Sequence, residues 1–251
     1  MIWRFLSVAA LISTLVLNTL AAVGPVLGGR TTGEISNIYP VVFTPANYVF
    51  SIWGLIYLGL IAFVMYQALP AGQRNPRTER ILLPFVLSCV FNGAWILAWQ
   101  YGYVGLSMVL MLGLLLTLIG VYNRLEIGLR PASGSDLWVV NAPFSLYLGW
   151  ISVATIANAC VALYVAGWTG GGATWTVVLI VIATALGLAF MRARGDAIYT
   201  AVLVWALVGI AVRNWSIPAV AYSALMGAAI LALVILMRGG RKPALAPPAR
   251  T

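Results

Sequence analysis

The sequence predicts an all-α membrane protein, a polytopic bundle of about eight transmembrane helices. Three observations predict it. The 251-residue chain is 63% hydrophobic and only 8% charged, with a mean hydropathy of +1.01. Its apolar residues gather in eight runs, most of them near the roughly 20 residues that a membrane span needs. Its basic residues fall almost entirely into alternate gaps between those runs. A soluble domain carries roughly 25% charged residues. This chain has far too few to cover a wet surface, whereas a lipid-facing surface needs few.

The runs are residues 5–26, 48–69, 81–101, 104–122, 137–168, 175–191, 198–212 and 217–237. The first follows Arg4. Together with Leu20, Ala21 and Ala22 it also resembles a signal peptide, but about 20 apolar residues exceed the usual signal core, which favours a retained span. Between the first and second runs lies the longest connection, 28–47, with Gly28, Gly29, Pro40 and Pro45. It reads either as a plain linker or as a lid over an outward-opening pocket. The fifth run is long enough to tilt. The seventh is the shortest and fits a span least well. Beyond 238 the chain carries Pro243, Pro247, Pro248 and basic residues, the pattern of a disordered cytoplasmic tail near anionic lipid.

Charge tests the count. With the N-terminus cytoplasmic, the inside receives Arg4, then Arg74, Arg77 and Arg80, then Arg124 and Arg130, then Arg192 and Arg194, then Arg238, Arg241, Lys242 and Arg250. The outside receives Arg30 and Arg213. Twelve against two, alternating at every gap, supports eight spans with both termini cytoplasmic. The expected location is the bacterial cytoplasmic membrane, with the lipid bilayer as the main partner. The net charge of +9 lies in these short clusters and forms no face that could follow phosphates, so nucleic acid is not expected as a partner. Cys89 and Cys160 sit inside apolar runs. With no His in the chain they read as small buried residues, and no metal site is expected.

Three spans share one spacing. The second carries Phe50, Trp53 and Tyr57 at i, i+3 and i+7, and the third carries Asn92, Trp95 and Trp99 at the same interval. The fifth carries Tyr147, Trp150, Ala154 and Asn158 at i, i+3, i+7 and i+11. Each set lies on one helix face. Trp3, Trp138, Trp168, Trp175 and Trp215 sit near span ends, where interfacial aromatics belong. Trp53, Trp95 and Trp150 fall deeper. Asn92 and Asn158 are costly in hydrocarbon and should face inward. Aromatic faces joined by a few amides suit a pocket for a flat hydrophobic molecule. Ordinary packing, with amides bonding between helices and Gly54, Gly59 and Gly93 allowing close approach, is the alternative.

At these residues the chain resembles the translocator-protein family, also called tryptophan-rich sensory proteins (TspO/MBR). In the family's second-span motif, Phe43, Pro45, Phe50, Trp53 and Tyr57 match, while Ala46 stands for a Pro and Tyr48 for a Trp. In its third span Asn92 and Trp95 match, and Trp99 falls in the aromatic region. In its fifth span Tyr147, Leu148, Trp150, Ala154 and Asn158 match, while Leu146 stands for a Pro and Val153 for a Phe. The resemblance covers 1–168, which would form a five-helix domain. Residues 169–238 would add three transmembrane helices, and 239–251 would be the tail. The resemblance implies a receptor or sensor that binds a small hydrophobic ligand, with porphyrin as the bound molecule and no cofactor required. It implies that Phe43, Pro45 and Tyr48 belong to a lid, and that a homodimer forms. A transporter of such a ligand is the alternative function. An enzyme is less expected, because the spans lack His and carboxylates for acid–base work.

Overall fold

The computed structural model describes residues 2–23, 26–132 and 134–239. The tail expected from 239 onward therefore falls outside the described residues, except for Gly239. Among those residues every regular element is helical.

Helix α1 (Ile2–Ala22) buries Ser7, Leu11, Thr14, Asn18 and Ala21, a one-face stripe at helical spacing, and turns Phe5, Ile12 and Val16 outward. The connection after it is more than a linker. It folds into α2 (Thr32–Ile38), whose Thr31 and Glu34 form a reciprocal capping box. A 3-10 turn, Asn47–Ser51, then leads into α3 (Ile52–Ala68). The short α4 (Pro70–Gln73) turns the chain into α5 (Pro76–Gln100). There the Asn75 side chain accepts from the Arg77 backbone N–H at 3.0 Å, and Pro76 occupies the first turn, where no intrahelical donor is needed. Gly102, at φ +76°, allows the tight turn into α6 (Val104–Arg124).

A π-helical stretch, Asp136–Asn141, precedes α7 (Ala142–Val165). Arg77 holds that stretch. It pairs with Asp136 at 2.9 Å and donates to Asn141 Oδ1 at 2.8 Å. Helix α8 (Ala173–Arg194) ends on Gly195 in the left-handed region, and Asp196 caps α9 (Ala197–Arg213) by accepting from the Tyr199 N–H at 3.0 Å. Helix α10 (Pro218–Gly239) completes the bundle.

Seven helices are long and apolar enough to cross a membrane, and α9 is a shorter eighth of 17 residues. At 1.5 Å per residue, α9 spans about 25 Å, less than the roughly 30 Å hydrocarbon core. It lies against α7, α8 and α10 and buries nine of its residues, so neighbouring helices rather than lipid cover much of its length. Outward faces elsewhere are apolar, as at Leu58, Val109, Leu116 and Leu233, each more than half exposed. The protein is thus an integral membrane bundle. Gly59 and Gly93 do sit at close approaches, to Pro143 and Leu17, but Gly54 faces open space.

Candidate functional site

The sequence stripes of α3, α5 and α7 meet around one cavity of about 40 Å³ below α2. Phe50 lines it from the 3-10 turn and Trp53 from the start of α3, Trp95 and Trp99 from α5, and Trp150, Ala154 and Asn158 from α7. Pro45 and Thr44 close it from the connection, and Thr32 and Ser36 from α2.

Aromatic stacking organises the walls. Tyr57, Trp53, Trp95 and Trp99 form a stacked ladder, with successive ring centroids 5.4, 6.1 and 6.2 Å apart. Trp150 meets Trp53 edge-on at 6.2 Å, and Phe50 meets Trp150 edge-on at 5.7 Å. Offset and edge-on pairs are the arrangements that ring quadrupoles favour, each worth about 0.5–1.5 kcal/mol beyond area. One amide is tied into this wall. Asn158 Oδ1 accepts from Trp95 Nε1 at 3.3 Å, and its Nδ2 donates to Ser107 Oγ at 3.1 Å. Two buried polar atoms of lining residues, Thr44 Oγ1 and Trp150 Nε1, have no hydrogen-bond partner among the described residues.

Five of the expected residues do not line this cavity. Asn92 was expected to orient a ligand. Instead it donates to the Tyr147 hydroxyl at 2.8 Å and accepts from Asn18 at 2.7 Å, which occupies its amide away from the cavity. Tyr147 is drawn into the same chain. Tyr57 instead borders a second, more open cleft of about 420 Å³, against Asn18, Thr31, Glu34 and Asn47. Thr32, Phe50 and Trp53 border both spaces, so these three residues form the partition between them. In the second cleft the Thr31 backbone N–H, 2.7 Å from Glu34 Oε2, holds the Glu34 carboxyl below its usual range, with the Thr31 hydroxyl adding to the effect. Phe43 is buried in the connection between α2 and the 3-10 turn. Tyr48 turns the other way and packs edge-on against Trp205 of α9 at 5.2 Å.

Sequence reasoning missed what holds the segment between α1 and α3. Helix α9 binds it at several points. Ala46 N donates to Gly209 O at 3.0 Å, Trp205 Nε1 to Val49 O at 3.2 Å, and Asn214 Nδ2 to Val42 O at 2.9 Å, while Arg213 donates to Asn37. Gln100 Nε2 holds the chain that leaves α1, through Leu27 O at 3.0 Å and Arg30 O at 2.9 Å. The capping pair Thr31 and Glu34 was a legible signal for α2. Nothing local in residues 197–214 signals these contacts.

No curated protein and no solved structure matches this chain. A family model, described as TSPO-like protein, matches residues 4–237. On that match, over nearly the whole of its length, the chain belongs to the TSPO-like protein family.

Proposed function

We propose that this protein is a membrane receptor or sensor for a small, flat, hydrophobic ligand, with a tetrapyrrole such as porphyrin as the leading ligand class. The observation that carries this reading is the set of four indoles, Trp53, Trp95, Trp99 and Trp150, around one cavity inside the bundle. Membership of the TSPO-like family supports it. Stacked indoles offer faces to a planar ring system, and the unpartnered Trp150 N–H and Thr44 hydroxyl offer donors to an acceptor on its edge. A space of about 40 Å³ holds little more than water. A macrocycle therefore enters only as the Trp53 partition swings and joins the cavity to the 420 Å³ cleft beside it.

Titration of purified protein with protoporphyrin, followed by tryptophan fluorescence, tests the reading. Wild type should quench saturably. A lost aromatic contact of a few tenths to about 2 kcal/mol means roughly 2- to 30-fold weaker binding. Trp53→Leu and Trp150→Leu should each fall in that range. Trp215→Leu, 63% exposed and not among the residues that line the cavity, should bind like wild type. Absence of saturable quenching in wild type defeats the tetrapyrrole assignment, and wild-type affinity in both cavity variants defeats the site.

We further propose the orientation read from charge, with both termini in the cytoplasm of a bacterial cell and the α2 lid outside. A reporter that works only in the cytoplasm, fused after Thr251, should be active. A silent but well-expressed fusion would count against eight spans with both termini inside.

A further inference from the structure

At the end of the bundle opposite the lid, α1 and α3 part to leave an open groove of about 410 Å³. Its walls are of two kinds. Phe5 and Val8 of α1 give it an apolar side that faces lipid, with Phe5 70% exposed. Arg4, Gln67 and Gln73 border it at the level of the helix ends.

The Arg4 guanidinium is held in place by main-chain oxygens. It donates to Gln67 O at 2.5 Å and to Gln73 O at 3.3 Å. A guanidinium has five N–H donors, so these two bonds aim the group and leave donors over. Arg4 pairs with no carboxylate among the described residues. Gln67 is stranger. It is 1% exposed, yet neither its amide nitrogen nor its amide oxygen has a partner among the described residues. Its two amide atoms are themselves buried, so a ligand in the groove reaches them as the side chain turns outward, and the cost of leaving a buried amide unpaired favours that turn.

A fixed cation and a spare amide at helix-end depth, above an apolar wall, match one chemistry. We propose that this groove binds the phosphate of a membrane phospholipid, with Arg4 pairing with the phosphate, Gln67 completing its hydrogen bonds and one acyl chain lying along Phe5 and Val8. The apolar wall is what favours a lipid over free phosphate. Arginine suits the role because its planar donors match phosphate oxygens.

Delipidated protein in neutral detergent provides the test. It is melted with phosphatidylglycerol, with diacylglycerol of the same chains and with inorganic phosphate, while native mass spectrometry counts retained lipid. Only the phospholipid should raise the Tm, with one lipid retained. Hydrogen bonds to a charged group are worth enough that Arg4→Gln should weaken retention about tenfold or more. Arg4 also ties α1 to the α3–α4 corner, so a second variant separates binding from folding. Gln67→Leu replaces an unpaired buried amide with an apolar group of similar size, and without lipid it should melt at or above wild type. With phospholipid it should gain less than wild type does. Equal protection by diacylglycerol, protection by inorganic phosphate alone, or a wild-type lipid response in both variants would overturn the proposal.

Discussion

Asp196→Ala is expected to destabilise the protein by about 3 kcal/mol, a large share of the stability of any folded domain. Asp196 is 7% exposed and sits in the α8–α9 turn. Its carboxylate accepts from the Tyr122 hydroxyl at 2.8 Å, from Ser145 Oγ at 2.6 Å and from the Tyr199 backbone N–H at 3.0 Å. Tyr122 belongs to α6 and Ser145 to α7, so one side chain ties α9 to two other helices. Alanine removes the helix cap, about 0.5–2 kcal/mol, and strands two buried hydroxyls, each about 1–3 kcal/mol before relaxation. Asp196→Asn should cost roughly half as much, because its amide oxygen still caps α9 and the hydroxyls can turn to accept from the amide nitrogen. Denaturation midpoints in detergent measure both. An Ala variant within about 0.5 kcal/mol of wild type would mean that Tyr122 and Ser145 find other partners.

Gly209→Leu should both destabilise the bundle and loosen the lid. A Cβ at Gly209 would lie 2.1 Å from Val49 Cγ2 and 3.2 Å from Pro45 Cβ. Val49 is fully buried and cannot swing aside, so the segment around residues 44–51 must lift from α9. That movement breaks the bond from Ala46 N to Gly209 O and shifts Pro45, Phe50 and Trp53, which line the cavity. Overpacking of this kind costs about 1–3 kcal/mol, against a helix-propensity gain of nearly 1 kcal/mol on leaving glycine, so the clash wins. Backbone amides of 31–51 should exchange faster in the variant, and porphyrin affinity should fall with them. Gly54→Ala is the matched control. It meets nothing within 4 Å and should be neutral or stabilising. Unchanged exchange in Gly209→Leu would mean that α9 does not hold the lid.

These outcomes turn on different kinds of information. Hydropathy and charge alone placed the spans, because the cost of polar groups in lipid is paid residue by residue and leaves its mark along the chain. Helical periodicity placed Trp53, Trp95 and Trp150 on inward faces, and the structure brings all three to one cavity. Periodicity sets a residue's angle on its own helix. It does not set how that helix is rotated against its neighbours, or which polar group stands across from it.

That second set of facts belongs to the tertiary structure. Asn92 shares a face with Trp95, yet Asn18 of α1 and Tyr147 of α7 take up its amide and leave it out of the cavity. Tyr48 lies five residues before Trp53, but it sits in the 3-10 turn and its ring packs against Trp205. Local chemistry did mark the capping box of α2 and the cap of α9, since a cap is a contact between residues three apart. The clamp of α9 on the lid joins residues more than 150 positions apart, as in the bond from Trp205 to Val49. The sequence alone determined a membrane bundle with inward aromatic stripes, because lipid and the helical repeat act locally. Which of those residues enclose the cavity, how small it is, and what holds the segment over it were decided only when eight helices packed together, because those properties depend on contacts between segments that no local pattern encodes.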